Sequence, residues 1–244
     1  MFNGLYAAAS GMEAQQMQLD AVSNDLANVD TPGYQAEVLG FHDLLYTSPG
    51  PQNATNFATG AGSAADIVGR DQSAAQLQQT GQPLDVAVLG QGFLQVRRPD
   101  GTLGLTRNGT LELNANRQLT TSTGMLLTPP VTIPNSASSD KLTIAANGNV
   151  EVSGRVVGRI ALVTVPNPNG LLDAGDSTFS ASAASGAMRP ATGATLQQGA
   201  LLASNVNMAT AMGEMIDAQR SYQMDSKAIS MQDQMMQIAN QIAK

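Results

Sequence analysis

Large apolar residues recur every seven positions near the amino end of the chain. One row contains Leu5, Met12, Leu19 and Leu26, and the other contains Ala8, Gln15, Val22 and Val29. Two such rows form a narrow stripe along a helix, like the a and d positions of a coiled coil. We therefore predict a long helix that ends at Thr31-Pro32-Gly33, because proline disfavours helical geometry in the preceding residue and glycine permits a reversal.

A similar stripe follows Asn205 and Asn207, either of which can cap a helix. Its seven-residue row consists of Met208, Met215, Tyr222, Ile229 and Met236. A second apolar row on another face consists of Met224, Met231, Met235, Ile238 and Ile242. Since one partner helix cannot cover two faces, we expect apolar surface to remain for further partners.

The large residues of the two stripes are predicted to form an assembly seam. They are Leu5, Met12, Leu19, Val22, Leu26, Val29, Met208, Met215, Tyr222, Ile229 and Met236. The alternative is that each stripe is only the core-facing side of an ordinary helix. A stripe at each end of the chain, with no other strong helical pattern between them, favours pairing of the two ends.

Between the stripes the pattern changes to short apolar runs separated by turn signals. The predicted strands span residues 84–89, 93–97, 103–106, 110–113, 118–121, 142–144, 150–153 and 156–165. Asp100-Gly101, Asn108-Gly109 and Asn147-Gly148 are dipeptides that hairpin turns prefer, because both central residues of such turns need positive φ. These signals predict an antiparallel β domain.

The predicted fold is therefore α+β, with long amino- and carboxyl-terminal helices paired as a coiled-coil-like domain and a central antiparallel β domain. Residues 1–33 and 200–244 are expected to form the discontinuous helical domain. Residues 34–82 are expected to form an extended linker, since small and amide residues dominate most of this segment. Residues 83–199 are expected to form the β domain.

Composition argues against most kinds of chemical site. The chain has no cysteine and a single histidine, His42, which excludes disulfides, thiolate metal sites and paired histidines within one chain. The net charge is −7, and the first 69 residues contain no Lys or Arg. Nucleic-acid binding and a basic targeting signal are therefore disfavoured, and no apolar run is long enough to span a membrane. We expect no catalytic residue, cofactor or metal.

Two local motifs have simple structural interpretations. Gly90-Gln91-Gly92-Phe93 lacks both the third glycine of a dinucleotide fingerprint and the Lys-Ser/Thr of a phosphate loop, so we expect a turn between strands. Asp173 and Asp176 lack the ligand spacing of an EF-hand, so we expect ordinary loop carboxylates.

Three blocks of sequence, in order, resemble the flagellar rod and hook family. They are the run from Leu26 to Tyr34, the β segment with Leu84-Asp85-Val86-Ala87-Val88 and Gly90-Gln91-Gly92-Phe93, and Ser204-Asn205-Val206-Asn207-Met208 with Gln219-Arg220-Ser221-Tyr222. The matching signature residues are Asn28, Thr31, Pro32, Gly33, Tyr34, Gln219 and Arg220. Asp43-Leu44-Leu45-Tyr46 and the chain length resemble the distal rod members. The linker is short for them, which leaves the proximal rod members as the alternative.

The resemblance implies a structural subunit that polymerises into a hollow helical tube, transmits torque from motor to hook and lets exported subunits pass. Its partners would be copies of itself, other rod and hook proteins and the flagellar export apparatus, with neither nucleic acid nor membrane insertion. Its location would be the basal body of the flagellum, reached without a cleaved signal peptide. The alternatives of another class are a secreted coiled-coil adhesin or binding module and, less favoured, a carbohydrate-active enzyme.

Overall fold

The structure, a computed structural model, describes residues 2–44, 62–134 and 142–242. The chain divides into two compact units. The helical unit comprises residues 1–27, 37–68 and 207–244, and the β unit comprises residues 28–36 and 69–206. Two terminal helices and a central antiparallel β region are present, so the predicted α+β class is confirmed.

The elements follow one another from helix to strands to helix. The helices are α1 (Phe2–Ala27) and α2 (Met208–Ile242). The strands are β1 (Glu37–Asp43), β2 (Ser63–Arg70), β3 (Leu77–Gln79), β4 (Val86–Leu89), β5 (Phe93–Arg97), β6 (Leu103–Thr106), β7 (Leu111–Leu113), β8 (Leu119–Thr121), β9 (Leu126–Leu127), β10 (Leu142–Ile144), β11 (Asn149–Val152), β12 (Arg155–Arg159), β13 (Leu162–Thr164), β14 (Leu172–Asp173), β15 (Thr178–Ser180), β16 (Arg189–Pro190), β17 (Thr195–Gln198) and β18 (Ala200–Leu202).

Helix α1 ends at Ala27, earlier than the sequence predicted. The residues that follow form a turn in which the Thr31 N–H donates to the Asn28 carbonyl at 3.1 Å. The Thr31 hydroxyl also donates to Asn28 Oδ1 at 3.1 Å. Asparagine side chains offer the backbone such alternatives to the helix, and Pro32 disfavours helical geometry at Thr31. Val29 therefore lies beyond the helix.

Helix α2 begins at a side-chain cap. The Asn207 Oδ1 atom accepts hydrogen bonds from the Ala209 N–H at 3.0 Å and the Thr210 N–H at 3.2 Å. Amide hydrogens in the first turn of a helix lack intrahelical partners, so this cap stabilises the start of α2. Of the two asparagines that the sequence offered as caps, Asn207 therefore has this role.

The β unit is built around one large sheet. Its strand order is β14-β15-β6-β5-β9-β8-β7, and β13 pairs with both β5 and β16. Strands β10, β11 and β12 form a three-stranded sheet, while β17 pairs with β4 and β18 with β3. These pairings are antiparallel, as the sequence predicted.

Large apolar side chains fill the interior of the β unit. The main cluster consists of Val86, Val88, Leu94, Val96, Leu111, Leu119, Met125, Leu127, Val131, Ile133, Leu142, Ile144, Val150, Val152, Ile160 and Leu196. A second cluster consists of Phe93, Leu105, Val163, Val165 and Phe179. Each such residue contributes roughly 1.5–3 kcal/mol when fully buried, so this unit has the core of an ordinary globular domain.

The predicted strands agree with the structure most closely where apolar residues alternate. Residues 93–97, 103–106 and 142–144 are strands as predicted, whereas the run 156–165 is divided into β12 and β13. Strands β1, β2 and β3 lie in the segment predicted to be a linker, of which residues 45–61 are outside the described part of the chain. Their sequences gave no clear alternation of apolar and polar residues.

Two of the three predicted hairpin turns are present. Gly101 and Gly148 have positive φ, +84° and +87°, and connect β5 to β6 and β10 to β11. The hairpin predicted at Asn108-Gly109 is wrong, because β6 and β7 are not paired with each other. Gly109 instead packs against the backbone of β4, where its carbonyl accepts from the Val86 N–H at 3.0 Å.

We expect Gly109→Ala to destabilise the β unit severely. An added Cβ would lie only 1.6 Å from the Val86 carbonyl oxygen, so β4 must move. The free energy of unfolding should fall by about 3 kcal/mol or more, as measured by urea unfolding. Gly193→Ala is the matched control, since a Cβ there meets nothing within 4 Å. Equal stability of the two variants would contradict this account of Gly109.

Candidate functional site

Helices α1 and α2 pack against each other within the helical unit. The least exposed positions of α2 are separated by three or four residues and are Ala211, Met215, Ala218, Ser221, Asp225, Ile229, Gln232 and Met236. This spacing corresponds to one face of a helix. Five of these eight residues are small or polar, so the face covers little apolar area.

On α1 the corresponding contacts are made by small residues. Ala14 and Ala21 are buried, and a Cβ added to Gly11 would lie 3.4 Å from the Asp225 carboxylate of α2. Small side chains allow helix backbones to approach closely, because the distance between helix axes depends on the residues at the contact. The alanines at positions 7, 14 and 21, and at 211 and 218, also recur every seven residues. The seven-residue spacing of alanines is therefore visible in the sequence, but a pattern defined by large apolar residues does not include it.

The predicted seam residues lie in several environments. Val22 is buried, while Met12, Leu19, Leu26, Met215, Ile229 and Met236 are half-buried. Met208 and Tyr222 are exposed, and Val29 is half-buried in the turn after α1. The Leu5 side chain lies outside the described residues. The predicted seam residues thus range from buried to exposed, and the seam stays a prediction.

The two-stranded sheet of β1 and β2 lies beside α1. The Glu37 N–H, at the start of β1, donates to the Asp25 carboxylate at 3.1 Å. The Ser63 N–H, at the start of β2, donates to the Ser10 hydroxyl at 3.3 Å. Residues 10–25 of a helix and residues 37–44 of a strand each span roughly 22 Å, so the sheet follows about the same length of α1.

Most large apolar side chains of the helical unit are exposed. Among the described residues of this unit, the buried apolar side chains are Ala14, Ala21, Val22, Ala65, Ala211 and Ala218. Thirteen exposed large apolar side chains belong to the same unit: Tyr6, Val38, Phe41, Ile67, Val68, Met208, Met212, Ile216, Tyr222, Met224, Met231, Met235 and Ile238. Exposed apolar surface of this kind is where interaction sites of proteins are found when it is contiguous.

The outer stripe of α2 consists of Met224, Met231, Met235 and Ile238, whose exposed fractions are 64%, 57%, 63% and 55%. The exposed apolar residues of β1 and β2, called the sheet patch, are Val38, Phe41, Ile67 and Val68, which are 40–55% exposed. Because successive side chains of a strand alternate, they lie on both faces of this sheet.

In the β unit, the signature segment (residues 28–36) is held by close backbone contacts. Gly33 has φ +71°, and its N–H donates to the Leu202 carbonyl at 2.8 Å. A Cβ at this position would lie 2.5 Å from the carbonyl group of Arg107. Only glycine combines this conformation with such a close approach, which is a physical reason for the Pro-Gly of the signature.

Arg70 joins the signature segment to the rest of the β unit. Its guanidinium carbon lies 5.4 Å from the centre of the Tyr34 ring and 5.5 Å from that of Phe179. One nitrogen donates to the Gln35 carbonyl at 2.7 Å, and another pairs with the Asp173 carboxylate. Burial alone would lower the pKa of Arg70, but Asp173 and Tyr34 outweigh it and raise this pKa above its ordinary value.

Arg107 is a buried cation held mainly by backbone carbonyls. It donates to the Gly92 carbonyl at 3.2 Å and to that of Gly90. Its guanidinium carbon lies 5.4 Å from the centre of the Phe93 ring. Burial lowers the pKa of Arg107, since removal from water disfavours the charged form. The glycines of the Gly90–Phe93 turn thus present carbonyl groups to arginine and form no phosphate loop.

Asn205 fixes the carboxyl end of the β unit to the signature segment. Its Oδ1 accepts from the Ala36 N–H at 2.8 Å, and its Nδ2 donates to the Asp71 carbonyl at 2.9 Å. The sequence offered Asn205 only as a helix cap and missed Arg70, because neither role leaves a local pattern. Gln219 and Arg220, the other matching signature residues, are exposed on α2.

The described residues contain no group of three or more His, Cys, Asp or Glu side chains that could hold a metal ion. His42 lies 3.7 Å from the Asp66 carboxylate, and both side chains are more than half exposed. No helix within the described ranges is long and apolar enough to cross a membrane.

Three protein-family models match the chain, in the same order as the blocks above. They are "Flagella basal body rod protein" at residues 5–35, "Flagellar hook protein FlgE/F/G D1 domain" at residues 87–152 and "Flagellar basal body rod FlgEFG protein C-terminal" at residues 197–242. Together they include α1, the middle of the β unit and α2.

Relatives of known identity match over their full length. The chain is 36% identical over 259 residues to the flagellar basal-body rod protein FlgG of Caulobacter vibrioides, with 98% of each chain covered. It is 34% identical over 264 residues to FlgG of Borreliella burgdorferi, with both chains fully covered. The chain therefore belongs to the flagellar basal-body rod and hook family. Among the named relatives in this family, FlgG recurs, and FlgF of Salmonella typhimurium also matches, at 31% identity with 96% of each chain covered.

We expect Arg70→Ala to lower the free energy of unfolding of the β unit by about 2 kcal/mol, because a charge-assisted hydrogen bond and two ring contacts are lost. Arg70→Lys should recover only part of this loss, since lysine keeps the charge but lacks the planar group. Urea unfolding followed by circular dichroism measures the effect. The control is Arg155→Ala, an exposed arginine of β12. A similar change in both alanine variants would contradict the role of Arg70.

Proposed function

We propose that this chain is a structural subunit of the distal rod of the bacterial flagellum, which polymerises into a hollow helical tube. The tube transmits torque from motor to hook and leaves a channel for exported subunits. Support comes from full-length similarity to FlgG proteins and from the physical character of the helical unit.

The observation that carries the proposal is the distribution of apolar side chains in the helical unit, where small ones are buried and many large ones are exposed. Its buried apolar residues among those described are five alanines and one valine, whereas Phe41, Met224 and Met235 are more than half exposed. Covering one large side chain contributes roughly 1.5–3 kcal/mol. Copies of the chain that cover one another's apolar surface therefore gain a hydrophobic stabilisation that the single copy lacks.

The exposed residues form unlike patches. The outer stripe lies on the carboxyl-terminal half of α2, whereas Met208, Met212 and Ile216 are exposed near its start. The sheet patch belongs to different elements. A contact between two unlike patches joins subunits head to tail. Repetition of this contact generates a helical filament when the rotation from one subunit to the next does not close a ring. Such a filament is the geometry of a rod.

We further propose that α1 and α2 pair in a coiled-coil-like manner and act together as one helical domain in the assembled rod. The spacing of three and four residues on the inner face of α2 supports this pairing. Because that face is poor in large apolar residues, the pair alone barely offsets the entropy of ordering two long helices. Assembly then stabilises both helices.

The remaining partners follow from family membership and are part of the same proposal. They are other rod and hook proteins and the flagellar export apparatus, with export from the cell without a cleaved signal. The proximal rod is the second candidate location, supported by the FlgF relative at 31% identity.

We expect Met235→Glu to abolish polymerisation without unfolding the monomer. Met235 is 63% exposed in the single chain, but a carboxylate at a subunit contact must lose its water without gaining a partner. Sedimentation of concentrated protein measures polymer, and complementation of a strain lacking the native gene measures swimming. Gln237→Glu is the control, because it adds the same charge at an exposed polar position nearby.

Unchanged circular dichroism of the Met235→Glu monomer is required for the interpretation. Normal polymerisation and swimming by this variant would remove the outer stripe from the assembly surface.

A further inference from the structure

Helix α2 uses methionine where most helices use leucine. Seven of the chain's 12 methionines lie in α2. The other large apolar residues of this helix are isoleucines and Tyr222, with no Leu, Val or Phe. Leucine and methionine have similar helix propensity. The difference between them that matters here is the thioether sulfur, which leucine lacks and which oxidants attack.

The methionines differ widely in access to water. Met224, Met231 and Met235 of the outer stripe are 57–64% exposed and are spaced seven and four residues apart, on one side of α2. Met125, in the core of the β unit, is 3% exposed. An oxidant dissolved in water therefore reaches the outer stripe and does not reach Met125 while the protein is folded.

We propose that Met224, Met231 and Met235 are oxidation sites that control assembly of this chain. The oxidant class is a peroxide. The sulfur lone pair attacks one peroxide oxygen, a sulfur–oxygen bond forms and the oxygen–oxygen bond breaks. For hydrogen peroxide the other oxygen leaves as water, so the peroxide gains two electrons and the thioether loses two.

The product, methionine sulfoxide, is polar and opposes apolar contact. At a subunit contact its oxygen must be desolvated, which is unfavourable unless a donor lies opposite. Oxidation of the outer stripe therefore prevents a free subunit from joining the polymer. Subunits already assembled are protected, since their neighbours cover the same sulfur atoms. This inference rests on the proposed function, because it requires that copies of the chain cover the outer stripe.

The test uses the full chain as dilute monomer, treated with hydrogen peroxide and then freed of it. Peptide mass spectrometry follows the gain of one oxygen at each methionine, and sedimentation gives the critical concentration for polymerisation. We expect Met224, Met231 and Met235 to be oxidised well before Met125. The critical concentration should rise roughly tenfold after treatment, equivalent to about 1.4 kcal/mol.

Two variants locate the effect, each compared with its own untreated sample. Both variants also carry Met208→Leu and Met212→Leu, because those exposed sulfurs lie on another part of the proposed assembly surface. The triple variant, with Met224→Leu, Met231→Leu and Met235→Leu added, should lose most of the response to peroxide. The matched variant, with Met188→Leu added instead, should keep the response, since that half-buried sulfur belongs to the β unit. Treatment of the oxidised wild-type chain with methionine sulfoxide reductases should restore polymerisation, which excludes irreversible damage as the cause.

The outcomes separate this inference from the proposed function. Absence of polymer in the untreated wild-type chain overturns both. Polymer before and after treatment, despite oxidation of the outer stripe, overturns the inference alone. An equal response of the triple variant and the wild-type chain, or oxidation of Met125 as fast as that of Met231, also overturns it.

Discussion

The main constraint on this protein is the small size of the apolar side chains that its helical unit buries. Alanines dominate the buried apolar positions described for that unit, so the contact between α1 and α2 covers little apolar area. Thirteen large apolar side chains among the described residues of the unit are exposed. Since hydrophobic burial is the main favourable term in folding, these described residues supply little of that term by themselves.

The β unit, in contrast, buries many of its large apolar side chains. Leu94, Leu105 and Val150 are fully buried, and its charged interior groups are held by specific partners. Arg70 lies between two aromatic rings and next to a carboxylate, while Arg107 donates to backbone carbonyls. The signature segment belongs to this unit, where Gly33 contacts Leu202 and Arg107 and Tyr34 contacts Arg70.

Sequence patterns were sufficient for elements whose signal is local. The seven-residue rows predicted both helices, and apolar alternation with Asp100-Gly101 and Asn147-Gly148 predicted two hairpins of the β unit. They failed where the determining contact is distant: Gly109 is fixed by Val86, and Arg70 by Tyr34 and Asp173. The row on α2 contains Met215, Ile229 and Met236 of the least exposed face, but Ala211 and Ala218 of the same face were missed because the rows were built from large residues.

Coupling between assembly and the order of the helices is the central claim, and amide hydrogen exchange tests it most directly. Exchange is measured by mass spectrometry on dilute monomer and on polymer of the same chain. The account predicts rapid exchange in α1 and α2 of the monomer, slow exchange of both helices in the polymer, and slow exchange in the core strands of the β unit in both states. Equally slow exchange of α1 and α2 in dilute monomer would contradict it, because the helical unit would then be stable without neighbours.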